Sequence, residues 1–237
     1  MVSDSRQLEL DDLQEKLGYR FKSLDLLNKS LTHKSYTHEN KTRVKHNERF
    51  EFLGDSVLDL VVSEFMIREY SDHGEGVLSK IRAAVVNESC LAEMARAIDL
   101  GRFLLLGKGE ENTKGREKSS LLANAFEALA GALYVDGGLE PVRKSLFPLL
   151  KVEIEALENS QNYRDYKSDL QEYTQEKLVC IPIYKVVRES GPDHDKRFEV
   201  EVTVNDRVEG KGIGRSKKEA EQVAAMMALR QFQSKND

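Results

Sequence analysis

The chain has 237 residues, of which 40% are hydrophobic and 32% are charged, and its formal net charge is −5 at pH 7. This length and composition are typical of a soluble protein with one large or two modest domains. There is no run of about eighteen apolar residues and no signal sequence at the start, so we expect a cytoplasmic protein without a membrane partner. The negative charge does not exclude a nucleic-acid partner, because such binding depends on where the charges lie.

Residues 5–157 are predicted to form an all-α domain. Apolar residues recur at helical spacing through "LQEKLGYRFKSLDLLNKSLTHKSY" and again through "GVLSKIRAAVVNESCLAEMARAIDLG". The polar segment "LGKGEENTKGREKSS" lacks this periodicity and contains glycines, which predicts an exposed, mobile loop. The Ala- and Leu-rich segment after it, "SLLANAFEALAGALYVDGG", predicts a helix that ends at its glycine pair.

The pattern changes after residue 157. Residues 158–163 are polar and lack an apolar stripe, so we interpret them as a linker. Residues 164–233 predict a small α+β domain with the element order αβββα. The segment "RFEVEVTVN" alternates strictly between apolar and polar residues, as a half-buried strand does.

Acidic residues recur at helical spacing within the otherwise apolar segment "NERFEFLGDSVLDL". Glu48, Glu51, Asp55 and Asp59 stand at i, i+3, i+7 and i+11, so a helix would align them in one narrow stripe, where like charges repel. Gly54 costs about 1 kcal/mol relative to Ala inside a helix, which indicates a close approach to the backbone. Three explanations remain open: a solvated or salt-bridged face, a carboxylate pair for acid–base catalysis, and a divalent-metal site.

A second acidic position lies about 70 residues further on. Glu127 is the single acid in the apolar stretch "SLLANAFEALAGALYV", and Asn124 precedes it by one helical turn. A lone carboxylate is expensive to bury unless it is paired. Two helices that each present oxygen atoms at one-turn spacing form a plausible cage for a hard cation such as Mg²⁺ or Mn²⁺.

The segment "NERFEFLGDSVL" closely resembles the signature of the ribonuclease III family. "SLTHKSY" before it and "LANAFEALAGALYVDGG" after it match the flanking motifs of that family, in order and separation. The αβββα tail resembles a double-stranded-RNA-binding domain, so the resemblance covers the whole chain. It implies an endonuclease that cuts both strands of an RNA duplex with Mg²⁺, for which Mn²⁺ can substitute, and without a small-molecule cofactor. The products would carry 5′-phosphate and 3′-hydroxyl ends.

The resemblance also implies a site. The residues that match the metal ligands of the family are Glu51, Asp55, Asn124 and Glu127, with Asp55 and Glu127 also catalytic. Many relatives have Asp at the position of Asn124, and an amide oxygen can bind a cation but adds no charge. Asp59 is expected to lie outside this site, solvated or paired.

The resemblance further implies a homodimer that processes ribosomal RNA precursors and other structured RNAs, including messenger and transfer RNAs. Phe52 matches a residue that packs into a socket on the partner subunit, and Glu48 and Glu75 match acids near the cleft. The alternative is a non-cleaving double-stranded-RNA-binding regulator that uses the helical domain only for dimerisation. Asn124 is the feature that favours this alternative.

The tail carries its positive charge near the start of the last predicted helix, in "GKGIGRSKKEAEQ". Ser216 and Glu219 form a capping-box pattern, and cations in a first helical turn are unfavourable unless an anion binds there. The cations expected to contact phosphates are Lys211, Arg215, Lys217 and Lys218. By resemblance, the first helix and the loop after the first strand contact minor grooves through Ser168, Gln171, Glu172, Pro192 and His194.

Overall fold

The computed structural model describes residues 3–40, 45–159, 165–192 and 195–234. Contacts divide the chain into two compact units, residues 1–163 and 164–237. The last helix of the first unit extends through Asn159, which is two residues into the segment interpreted as a linker. The rest of that segment lies outside the described residues.

The first unit is mostly helical, as the apolar periodicity predicts. Its core contains large side chains with almost no exposed surface, including Leu10, Leu27, Leu58 and Phe126. Short 3₁₀ helices cover Leu100–Phe103 and Gly115–Glu117. The α-helices are α1 (Asp4–Leu17), α2 (Leu24–Ser30), α3 (Lys34–Asn40), α4 (Glu48–Glu69), α5 (Glu75–Val85), α6 (Glu88–Ala97), α7 (Lys108–Asn112), α8 (Ser119–Gly137), α9 (Leu139–Ser145) and α10 (Phe147–Asn159).

The segment predicted to be an exposed, mobile loop contains helical structure, so the prediction that it lacks secondary structure was wrong. It contains α7 and the second 3₁₀ helix. The guanidinium of Arg116 donates to the carboxylate of Glu111 and, at 2.9 Å each, to the carbonyls of Gly101 and Arg102. Lys118 Nζ lies 2.7 Å from a carboxylate oxygen of Glu110. Polar side chains hold this segment in place, and an analysis of apolar periodicity does not detect them.

The second unit has the predicted αβββα order. Its elements are α11 (Tyr166–Tyr173), a π-helical turn (Thr174–Leu178), β1 (Ile183–Ser190), β2 (Arg197–Val204), β3 (Arg207–Gly214) and α12 (Lys217–Ser234). The strands form an antiparallel sheet in the order β1-β2-β3. Asn205 and Asp206 make the turn between β2 and β3 with positive φ angles of 49° and 60°, a conformation that Asn and Asp adopt more readily than other non-glycine residues.

One face of this sheet packs on helix α12. Val200, Val202 and Val204 are buried on that face. A Cβ atom at Gly212 would lie 2.2 Å from the carbonyl oxygen of Ala220, so glycine lets β3 approach the helix backbone. The predicted fold class, an all-α domain followed by a small α+β domain, is confirmed. No helix among the described residues is both long enough and apolar enough to cross a membrane.

Candidate active site and RNA-binding surface

Helices α4 and α8 cross with their backbones in direct contact. A Cβ atom built on Gly54 would lie 1.7 Å from the carbonyl oxygen of Glu127. A Cβ atom built on Gly131 would lie 2.3 Å from the carbonyl oxygen of Phe50. Only glycine fits at either position without moving a helix, so the close approach expected at Gly54 is made by the other helix.

This crossing brings together acids that are far apart in the sequence. Glu51 and Glu127 are half-buried, whereas Asp55 and Asn124 are exposed. Burial, followed by the charges of Asp55 and Glu51, raises the pKa of Glu127 to about 7. Burial and then the charge of Glu48 raise the pKa of Glu51. The carboxylates of α4 and α8 therefore repel one another across the crossing.

Among the described residues, Glu51, Asp55 and Glu127 accept no side-chain or backbone hydrogen bond at their carboxylates and form no ion pair. Nor do any three His, Cys, Asp or Glu side chains within the described ranges form a group that could by itself hold a metal ion. Carboxylate oxygen atoms that repel one another and have no partner among the described residues are suited to a hard cation. Mg²⁺ commonly binds one or two carboxylates and keeps several water molecules.

Glu48 differs from the other acids because it is already paired. Its carboxylate lies 3.2 Å from Nζ of Lys34 and 3.5 Å from Nδ1 of His46. The hydrogen bond from Lys34 is the largest cause of its lowered pKa. Glu48 thus ties α3 to the start of α4. Glu75 is exposed in the first turn of α5, where it accepts a hydrogen bond of 2.7 Å from Oγ of Ser79.

A pocket of about 100 Å³ adjoins the crossing. Its lining includes Glu51 and Asn124 together with His33 and Lys34. His33 and Lys34 are not among the predicted site residues, although both lie in the motif "SLTHKSY". Asp59 lies outside the group, with Oδ1 at 3.8 Å from Nε of Arg82, as expected.

Phe52 projects from α4 into solvent, with 80% of its surface exposed. Leu60 and Ile67 lie further along the same helix and are 53% and 68% exposed. Leu60 follows Phe52 by eight residues, and Ile67 follows Leu60 by seven, so the three side chains lie on one side of the helix. Large apolar side chains aligned in this way are typical of a surface that another protein covers.

The start of α12 has the predicted cap. The backbone N–H of Glu219 donates to Oγ of Ser216 at 3.1 Å, and the N–H of Arg215 donates to the Glu219 carboxylate at 2.7 Å. Lys217 and Lys218 are exposed in the first turn. Lys217 Nζ lies 3.4 Å from a carboxylate oxygen of Glu189 on β1.

The structure does not bring Lys211 together with these cations. This lysine lies in β3, where Gly210 and Gly212 approach α12. Because side chains alternate along a strand, Lys211 is on the opposite face of the sheet. There its Nζ lies 2.6 Å from Oε1 of Glu201. The remaining cations of the predicted group are Arg215, Lys217 and Lys218.

The other predicted RNA-binding residues are exposed where the structure describes them. Ser168, Gln171 and Glu172 lie on one face of α11, opposite the buried Leu170. Pro192 is exposed after β1, and His194 lies outside the described residues.

Comparison with known proteins gives a family for both units. Residues 23–151 match the model of a ribonuclease-III-like domain, and residues 166–232 match that of a double-stranded RNA binding motif. The chain is 51% identical over 217 residues to ribonuclease 3 of Caldanaerobacter subterraneus subsp. tengcongensis, covering 92% of this chain and 95% of that protein. It is 47% identical to ribonuclease 3 of Campylobacter curvus, covering 93% of this chain and 97% of the relative.

Solved structures agree with these sequence matches. The nuclease domain of ribonuclease III from Campylobacter jejuni, described for flexibility in a region involved in dimer formation, superposes with a TM-score of 0.56 at 42% identity. The match covers 61% of this chain and 97% of that domain. The resemblance seen in the sequence is confirmed: the chain belongs to the ribonuclease III family and is an endoribonuclease that carries a double-stranded-RNA-binding domain.

Proposed function

We propose that the protein hydrolyses phosphodiester bonds in both strands of an RNA duplex with the help of Mg²⁺, leaving 5′-phosphate and 3′-hydroxyl ends. The observation that carries this proposal is the group of carboxylates at the crossing of α4 and α8 that have no partner among the described residues. Burial, followed by the charges of Asp55 and Glu51, raises the pKa of Glu127 to about 7. A bound cation would offset the repulsion among these carboxylates.

The metal ligands in this proposal are Glu51, Asp55, Asn124 and Glu127. When bound, Mg²⁺ would supply an activated water and stabilise the charge that develops at phosphorus. The half-buried Glu51 and Glu127 hold their carboxylates in fixed positions on packed helices. The exposed Asp55 is open to the solvent from which water and RNA arrive. Because Glu48 is paired with Lys34, we assign it a supporting role at the rim of the site. Mn²⁺, which prefers the same oxygen ligands, is proposed to substitute.

The second unit is proposed to hold the duplex. Lys217 and Lys218 lie where the positive end of the α12 dipole and free backbone N–H groups favour phosphate. The exposed residues of α11 and Pro192 are proposed to contact minor grooves, which recognises duplex shape more than sequence. His194 remains a predicted contact in the same loop.

We propose that the enzyme is a homodimer in which Phe52 inserts into the partner subunit. The exposed line of Phe52, Leu60 and Ile67 supports this, as does the reference to dimer formation in the Campylobacter jejuni structure. In the cell we propose a cytoplasmic role in processing ribosomal RNA precursors and other structured RNAs, including messenger and transfer RNAs.

Incubation of a long RNA duplex with the protein tests the activity. We expect short products in Mg²⁺, intact RNA in EDTA, and no cleavage of a DNA duplex of the same sequence. Labelling of the product ends identifies the 5′-phosphate. If the protein binds the duplex tightly but leaves it intact in both Mg²⁺ and Mn²⁺, the non-cleaving regulator is the correct alternative.

A further inference from the structure

The contact between α4 and α8 is reciprocal, and each half of it involves an acid-bearing turn. The glycine on α4 contacts the carbonyl of Glu127 itself, a proposed ligand. The glycine on α8, Gly131, contacts the carbonyl of Phe50, whose neighbour in the chain is Glu51. The two backbone contacts between the helices therefore lie beside the carboxylates of Glu51 and Glu127. The distance between these carboxylates decides which cation fits.

We propose that Gly131 is a positioning residue: it sets the distance between the carboxylates of α4 and those of α8, and so fits the site to a small divalent cation. This inference rests on the proposed metal-dependent function. Gly131 carries no side chain and cannot itself bind the cation. It acts through the backbone contact that it permits.

The size of the expected displacement follows from the geometry. A Cβ atom at position 131 would lie 2.3 Å from the Phe50 carbonyl, whereas ordinary contact begins at 3.4 Å. Packed helices do not compress, so α8 would have to move from α4 by about 1 Å. Mg²⁺ requires near-ideal geometry with ligands at about 2.0–2.1 Å, whereas Ca²⁺ accepts irregular sites at about 2.3–2.6 Å. A shift of this size should therefore discriminate between the two ions.

The chain contains a matched control for the steric effect. A Cβ atom at Gly101 would also lie 2.3 Å from a backbone carbonyl oxygen, that of Arg116. Gly101 is buried in the first 3₁₀ helix, and neither it nor Arg116 belongs to the proposed site. Gly101→Ala and Gly131→Ala thus impose the same clash, one away from the carboxylates and one beside them.

The test measures thermal unfolding of the full-length protein without RNA, in EDTA, in Mg²⁺ and in Ca²⁺, followed by cleavage across a Mg²⁺ titration. We expect both variants to be destabilised in EDTA. Gly101→Ala should keep the wild-type stabilisation by each ion. Gly131→Ala should lose stabilisation by Mg²⁺ and retain it with Ca²⁺, and its half-maximal Mg²⁺ concentration for cleavage should rise by about tenfold or more.

The proposal is overturned if Gly131→Ala responds to both ions as Gly101→Ala does. If Gly131→Ala does not fold, two other variants test the same distance. Glu51→Asp and Glu127→Asp each shorten one proposed ligand by a methylene group and leave the helix backbones unchanged. The proposal is also overturned if Mg²⁺ and Ca²⁺ stabilise both of these variants to the same extents as they stabilise the wild type. A wild-type protein that neither cleaves RNA nor gains stability from Mg²⁺ contradicts the proposed function itself.

Discussion

At the scale of single residues, the site is defined by carboxylates whose charge is unfavourable in the protein alone. Glu127 is half-buried on a helix whose neighbours are almost all apolar, and it faces the charges of Asp55 and Glu51. Its raised pKa means that the folded, metal-free protein binds this proton more tightly than the unfolded chain does. Without a bound cation, this group of carboxylates therefore lowers the stability of the folded protein near neutral pH.

The first prediction concerns Glu127→Gln. Between the ordinary pKa of a Glu carboxyl and about 7, the Glu127 carboxyl is more fully protonated in the folded state than in the unfolded state. Its contribution to the stability of the metal-free protein therefore falls as pH rises through this range. The neutral amide should remove this pH dependence and increase stability in EDTA above pH 7. Cleavage should be nearly abolished and RNA binding unchanged. Thermal melts at about pH 5.5 and about pH 8.5 measure the first effect. An equal pH dependence in both proteins would refute it.

The second prediction concerns Asn124→Asp. The added charge lies one turn from Glu127 on α8, so it should tighten the binding of a divalent cation and lower the Mg²⁺ concentration needed for half-maximal cleavage. In EDTA the same like charge should lower stability, and Mg²⁺ should then stabilise the variant more than the wild type. Magnesium titrations followed by activity and by melting test this pair of effects. Superimposable titrations for the two proteins would show that residue 124 has no metal role.

At the scale of elements, α12 and β3 show that secondary structure decides on which surface a lysine side chain lies. Lys217 and Lys218 follow a helix cap that leaves them exposed in the first turn. Lys211 is only six residues earlier, yet strand alternation directs it to the far face, where it pairs with Glu201. Closeness in the sequence does not decide which surface a charge belongs to.

This difference gives the third prediction. Lys217→Ala combined with Lys218→Ala should weaken duplex binding and reduce its dependence on salt, because fewer phosphate contacts release fewer counterions. The slope of log affinity against log salt should decrease by about one to two. Lys211→Ala removes the same kind of charge from the far face and should leave the slope unchanged. Binding titrations at several salt concentrations measure both variants. If Lys211→Ala decreased the slope as much as the double variant does, the RNA would bind on a different surface.

At the scale of the whole molecule, the exposed apolar line on α4 supports the proposed homodimer. Phe52 is 80% exposed, and burying an aromatic ring of this kind contributes strongly to association. The same helix carries Glu51 and Asp55, so the proposed dimer contact and the proposed metal site share one element. Loss of the dimer is therefore expected to affect cleavage even though Phe52 is not a proposed ligand.

The fourth prediction is that Phe52→Ala weakens the dimer by about thirtyfold or more, the effect expected of a residue that contributes about 2 kcal/mol to an interface. Sedimentation over a range of protein concentrations measures the change. Leu8 on α1 is also highly exposed, at 72%, so Leu8→Ala serves as the control for removal of an apolar surface group. A Phe52→Ala dimer as tight as the wild type would exclude this residue from the interface.

The sequence by itself determined the fold class and the acids of the candidate site. Helical and strand periodicities are local, and the stripe of Glu51 and Asp55 is visible within one segment. The cap of α12 was predicted correctly for the same reason, since Ser216 and Glu219 are three residues apart. The family resemblance then connected that segment with Glu127.

The tertiary structure alone decided which distant groups meet. The sequence indicated a close approach at Gly54, but the partner, the carbonyl of Glu127, is visible only when α4 and α8 are packed together. Arg116 orders a polar segment by binding carbonyls that precede it by about fifteen residues. Such contacts depend on packing and on the direction of individual side chains, and neither is encoded in a repeat of 2.0 or about 3.6 residues.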